Sequence, residues 1–111
     1  DGRLGDVRIL EAGSVEMMRA NRLPDALVPI AVGTFLSPAY GFGLGFAVLV
    51  DEDASPEPDN DGLFRWAGAA NTFFWIDPDA DLIGMVWTQI EPFGIYDIER
   101  EFQTLVYESL K

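Results

Sequence analysis

The residues of this chain that could do chemistry are carboxylates and hydroxyls. It carries 19 Asp and Glu and no His or Cys, and its one lysine is the final residue, Lys111. Without histidine there is no Ser-His-Asp triad and no ordinary zinc site. Without cysteine there is no disulfide or thiolate metal site. A hydroxyl nucleophile needs a neighbouring base, and none of the four serines has one. Counted as the first residue of Ser-x-x-Lys, Ser14 leads to Met17 and Ser37 to Tyr40. Ser55 lies in an acidic loop, and Ser109 closes the last helical stretch.

The acids fall in loops and on an outer helix face, whereas paired acid–base carboxylates must share a cleft. Two clusters have a metal-like look. "EPDNDG" from Glu57 places acids at alternate positions before Gly62, as in the first half of a calcium loop, but the twelfth position is Gly68, not a bidentate acid. "DPDAD" from Asp77 has no glycine and would close on Thr88. Both read as solvated turns. "GFGLG" at 41–45 superficially resembles a phosphate loop, but its third glycine is out of register and no helix follows. No metal and no cofactor is expected.

The net charge of −12 argues against nucleic acid or an anionic membrane surface as partner, since either needs clustered Lys and Arg. A composition 49% hydrophobic and 13% aromatic marks a chain that packs a core. Its 111 residues suit one domain. The longest apolar runs are about half a membrane span. The chain starts at Asp1 without Met, which predicts an origin inside a larger reading frame or after processing.

The elements that must position any site follow from periodicity. A helix is expected over about 14–22, capped by Ser14 and ended before Pro24, then a long ordered loop over 23–40. Strict alternation predicts a strand over 42–50, followed by a charged, Pro-rich loop. Strands follow at about 63–68, 71–77 and 82–89, joined by short links that favour antiparallel neighbours. Ile95, Ile98, Phe102, Leu105, Val106 and Leu110 mark an amphipathic helix over about 97–110. The architecture expected is α+β, an antiparallel sheet with the N- and C-terminal helices on one face. Strand 82–89 is apolar on both sides, which predicts a central place and a neighbour that these residues do not obviously supply.

The stretches "YGFGLGFAVLV" and "GLFRWAGAANTFFWIDPDADLIGMVWTQ", followed by the terminal helix, resemble the C-terminal part of the serine β-lactamase-related family. That family includes class C β-lactamases, DD-peptidases and esterases. The upstream "RIL…SVEMMRANRLP" is similar to the helix and loop of its esterase-like branch, so the resemblance covers nearly the whole chain. It implies an incomplete C-terminal portion of the β-lactamase/transpeptidase-like α/β domain. The family works with Ser-x-x-Lys, a Tyr-x-Asn-type motif and a Lys-Thr-Gly-type motif on an edge strand. Only the third has a counterpart, Trp66-Ala67-Gly68. The resemblance then implies that Trp66, Ala67 and Gly68 border the substrate and that the Ala69 backbone N–H is one of two oxyanion donors.

Tryptophan in place of the cation implies neutral esters or amides rather than β-lactam carboxylates. Arg65 is adjacent but points to the opposite face of a strand. The serine and tyrosine segments would lie in a missing N-terminal part, or in a swapped or homo-oligomeric copy, and the 111 residues alone would be inactive. A soluble bacterial protein, cytoplasmic or periplasmic, is implied. The other reading of the same residues is non-catalytic: Trp66, Phe73, Phe74 and Trp75 as core aromatics of a small α+β domain that binds a partner through an open sheet edge.

Overall fold

The computed structural model describes residues 2–32, 35–36, 38–56, 58 and 61–111, with the backbone only at 32, 35 and 36. The fold is α+β: antiparallel sheets and two α-helices. Near the start of the chain β1 (Arg3–Leu4) pairs with β2 (Val7–Arg8) as a hairpin, turning at Gly5, whose φ is +57°. Helix α1 spans Ala12–Arg19. Glu11 occupies its N-cap position, so Ser14, expected as the cap, lies inside the first turn, and the helix stops three residues short of 22. The expected loop 23–40 contains a 3₁₀ turn (Asp25–Leu27) and a small ladder, β3 (Ala31–Val32) with β4 (Phe35–Leu36).

The principal sheet has five strands in sequence order. These are β5 (Tyr40–Phe42), β6 (Ala47–Leu49), β7 (Phe64–Ala67), β8 (Phe73–Asp77) and β9 (Leu82–Val86). The single strand expected over 42–50 is therefore a hairpin, with Phe42 paired to Ala47. The alternation of apolar residues with Gly43 and Gly45 is that of a strand, but the same glycines permit a reversal. Gly45 takes φ +95°, and Gly43 passes so close to the Met18 carbonyl that a Cβ there would lie 1.9 Å from its oxygen. Within this chain the last strand, β9, lies at the edge of the sheet rather than at its centre: the described residues supply no neighbour on its far side, and Ile83, Met85 and Trp87 are exposed.

Register explains which side chains meet. Arg65, Trp75 and Gly84 align across β7, β8 and β9, with Ala67, Phe73 and Val86 next to them. This face holds the core, which includes Ile30, Tyr40, Ala47, Leu49, Leu63, Phe73 and Trp75. Helix α2 (Ile98–Ser109) lies against it. Phe102 meets Trp75 edge-on at 5.8 Å between ring centroids, and the Tyr107 hydroxyl donates to Asp77 at 2.5 Å. Four positions of the predicted apolar stripe, Ile95, Phe102, Leu105 and Leu110, are exposed instead, Phe102 while still meeting Trp75, and Gln103 is fully buried.

Gly84 makes the packing possible: a Cβ there would stand 2.1–2.4 Å from three atoms of the Trp75 ring. On the opposite face Phe46 packs edge-on to Phe64 and Phe74, and Arg19 at the end of α1 lies over the Phe64 ring. The helices thus meet opposite faces rather than sharing one.

Candidate functional site

The four residues singled out in sequence, Trp66 to Ala69, sit where β7 turns into β8. Gly68 N–H donates to the Thr72 carbonyl at 2.7 Å, and Asn71 N–H donates to the Gly68 carbonyl at 3.1 Å. Ala69 and Ala70 have negative φ, and Asn71 is left-handed at +57°. This is a type I turn followed by a left-handed residue, a common three-residue hairpin closure. Asn tolerates that conformation because its short side chain bonds locally. Gly68 has an internal reason to be glycine, since a Cβ would lie 2.5 Å from Thr72 Oγ1.

Ala69 therefore occupies the first central position of an exposed turn. Its N–H donates to no acceptor among the described residues. The ladder between β6 and β7 consists of Ala47↔Arg65 and Val48↔Phe64 and stops before Trp66. Trp66, Ala67 and Gly68 join Thr72, Phe74 and Met85 in lining a hollow of about 240 Å³; Ala69 is not part of that lining. Trp66 also borders a second hollow of about 450 Å³ on its other side, facing the loop that follows α1. Phe42 braces the indole edge-on at 4.8 Å.

Neighbouring residues have structural duties. Arg65 is buried on the core face, away from Trp66, with its guanidinium over the Tyr40 ring and ion-paired to Glu99 of α2. A cation held in that way is unavailable to a ligand on the opposite face. Asp77 is also consumed: its carboxylate accepts the Tyr107 hydroxyl and the amides of Asp79 and Ala80, the latter two at 3.0 Å. "DPDAD" is thus a pinned hairpin end. The "EPDNDG" segment lies in part outside the described residues, as does Ser37. Among the described residues no group of three or more acids is placed to hold a metal ion, and no helix is long and apolar enough to cross a membrane.

The residue that sequence reasoning missed is Asn71. The residue is 6% exposed, and its side chain clamps the segment after β9. The amide donates to the carbonyls of Ile90 at 2.6 Å and Pro92 at 3.3 Å, and its oxygen accepts Gly94 N–H at 2.8 Å. Thr88 Oγ1 and Ile90 N–H both reach the Ala70 carbonyl, at 2.6 and 3.1 Å. These bonds lock the Ala69 turn in place. A polar residue closing a run of Ala and Gly between two strands was the available signal.

No family model matches the chain. Two proteins of Mycobacterium tuberculosis are similar to it: "Protein Rv1367c" of strain ATCC 25618 / H37Rv and "Uncharacterized protein MT1414" of strain CDC 1551 / Oshkosh. Each is 38% identical over 93 residues, which covers 75% of this chain and 22% of the relative. The chain thus spans about a fifth of the length of these relatives.

Proposed function

We propose that these residues are the C-terminal portion of a serine hydrolase related to class C β-lactamases and esterases, acting on neutral esters or amides through an acyl-enzyme. In this reading the missing N-terminal part supplies the serine, lysine and tyrosine. This chain supplies the Trp66–Gly68 wall and the Ala69 amide as one oxyanion donor. One observation carries the proposal: Ala69 is exposed, its N–H has no acceptor among the described residues, and its turn is held by the Asn71 clamp directly after an apolar wall. A donor fixed before reaction is what stabilises a developing oxyanion at low reorganisation cost. The relatives are several times longer than the matched segment, which leaves room for the remaining machinery.

The test is labelling of the natural reading frame that contains these residues with a fluorophosphonate. A single modified serine upstream of Asp1, and none among Ser14, Ser37, Ser55 and Ser109, is the expected result. Absence of any labelled serine, or serine-dependent turnover by the 111-residue chain alone, overturns it. The exposed edge of β9, with Ile83, Met85 and Trp87 uncovered, favours a second reading: a non-catalytic domain that pairs through this edge. An unlabelled protein in which β9 amides are protected from exchange only when a partner is present would support that reading.

A further inference from the structure

The larger of the two hollows beside Trp66 borders the core at Ile30, and its walls are held by backbone and side-chain hydrogen bonds. Asn21 anchors the start of the loop: its Oδ1 accepts the N–H groups of Leu23 and Phe42, each at 3.1 Å. Gly41 leaves room for this, because a Cβ there would lie 2.4 Å from that oxygen. Arg22 N–H donates to the Phe42 carbonyl at 2.8 Å, and Ile30 N–H to the Tyr40 carbonyl at 2.7 Å. The segment 22–30 is thus bonded to β5 at both ends, with the 3₁₀ turn Asp25–Leu27 arching between.

Beneath the arch is an opening of about 450 Å³, within the size range of small-molecule sites. Its floor is Ile30, which is buried, and its aromatic wall is Phe42 with Trp66. Leu23, Ala26 and Leu27 form the roof, and none of the lining residues is charged. The chain around it carries a net charge of −12. An anion entering would lose hydration and meet a repulsive field, with no cation in the lining to compensate. A neutral apolar group meets neither penalty.

We infer that this hollow binds a compact, uncharged apolar tail of an ester, with Trp66 as the partition between it and the hollow next to Ala69. The identification of the tail as part of an ester rests on the function proposed above; the preference for an uncharged apolar group does not.

The experiment is titration of the ¹⁵N-labelled 111-residue chain with ethyl hexanoate, hexyl acetate and hexanoate at pH 7, followed by NMR. Saturable shifts are expected at Leu23, Leu27, Ile30, Phe42 and the Trp66 indole with at least one ester, and binding of hexanoate at least tenfold weaker. The tighter ester assigns the tail to the acyl or the alcohol side. Leu27→Asp, at a residue 60% exposed at the mouth, should weaken binding at least tenfold with an unchanged thermal midpoint. Met85→Asp in the smaller hollow should leave it unaltered.

Failure of both esters to saturate, hexanoate binding as tight as the esters, or loss on Met85→Asp but not on Leu27→Asp overturns the inference. The two proposals fail separately. Serine labelling without ester binding removes only the pocket. Ester binding without serine labelling removes only the hydrolase.

Discussion

Gly84→Ala tests the packing on which the sheet and α2 depend. Gly84 sits on edge strand β9, opposite Trp75 of β8, and both are buried. A new methyl would stand 2.1 Å from Trp75 Cη2, against the 3.4 Å at which ordinary contact begins, so the indole or the strand must move by 1.3 Å. The indole has little room: it stacks on Phe73 at 6.3 Å and meets Phe102 at 5.8 Å. Overpacking of this kind costs about 1–3 kcal/mol, offset in part by the smaller backbone entropy of Ala, roughly 0.5–1 kcal/mol.

A net loss of about 1.3 kcal/mol follows, or roughly 6 °C in thermal midpoint for a domain of this size. Circular dichroism melts give the midpoint, and near-ultraviolet dichroism reports the indole itself. A Trp75→Phe background removes the benzo ring that the methyl strikes. The cost of Gly84→Ala should fall there by at least about 1 kcal/mol, a coupling typical of contacting residues. An unchanged midpoint, or the same cost in both backgrounds, would refute the argument.

Three further outcomes are expected. Ala69→Pro removes the proposed oxyanion donor at a turn position that favours proline, so the purified 111-residue chain should keep its melting point, whereas ester turnover by the complete enzyme should fall about 10²–10³-fold; undiminished turnover would exclude Ala69 as a donor. Asn71→Gly retains the left-handed backbone but deletes three side-chain bonds, so amide exchange should accelerate across 88–94 while the β7–β8 ladder stays protected. Gly13→Ala, in α1 with nothing within 4 Å of the added Cβ, should raise stability by about 0.5–1 kcal/mol in denaturant titration.

Much of the architecture was legible because it depends on local pattern. The alternating aromatics of "FFWID" and the three- and four-residue spacing of the last helix carry their own periodicity, and each forms near its expected bounds. The alternation over 42–50 misled, because a strand and a hairpin built on glycines share the same period of two. Among the proposed site residues, Trp66, Ala67 and Gly68 gather at one hollow, as residues adjacent in sequence must. That Ala69 turns outward, and that Asn71 fastens the turn to the segment after β9, needed contacts between residues about twenty positions apart.

By itself the sequence determined what chemistry was excluded. Absent histidine, absent cysteine and a large negative charge hold in any conformation. It also determined the α+β class, since periodicity is a property of the chain alone. Only the tertiary structure decided that Arg65 is spent on Glu99 and Tyr40, that Gly84 exists for Trp75, and that β9 lies at an edge. Only the fold, too, placed an uncharged hollow behind Trp66. Each of these depends on which distant segments share a face, and burial and register set that only once the sheet has closed.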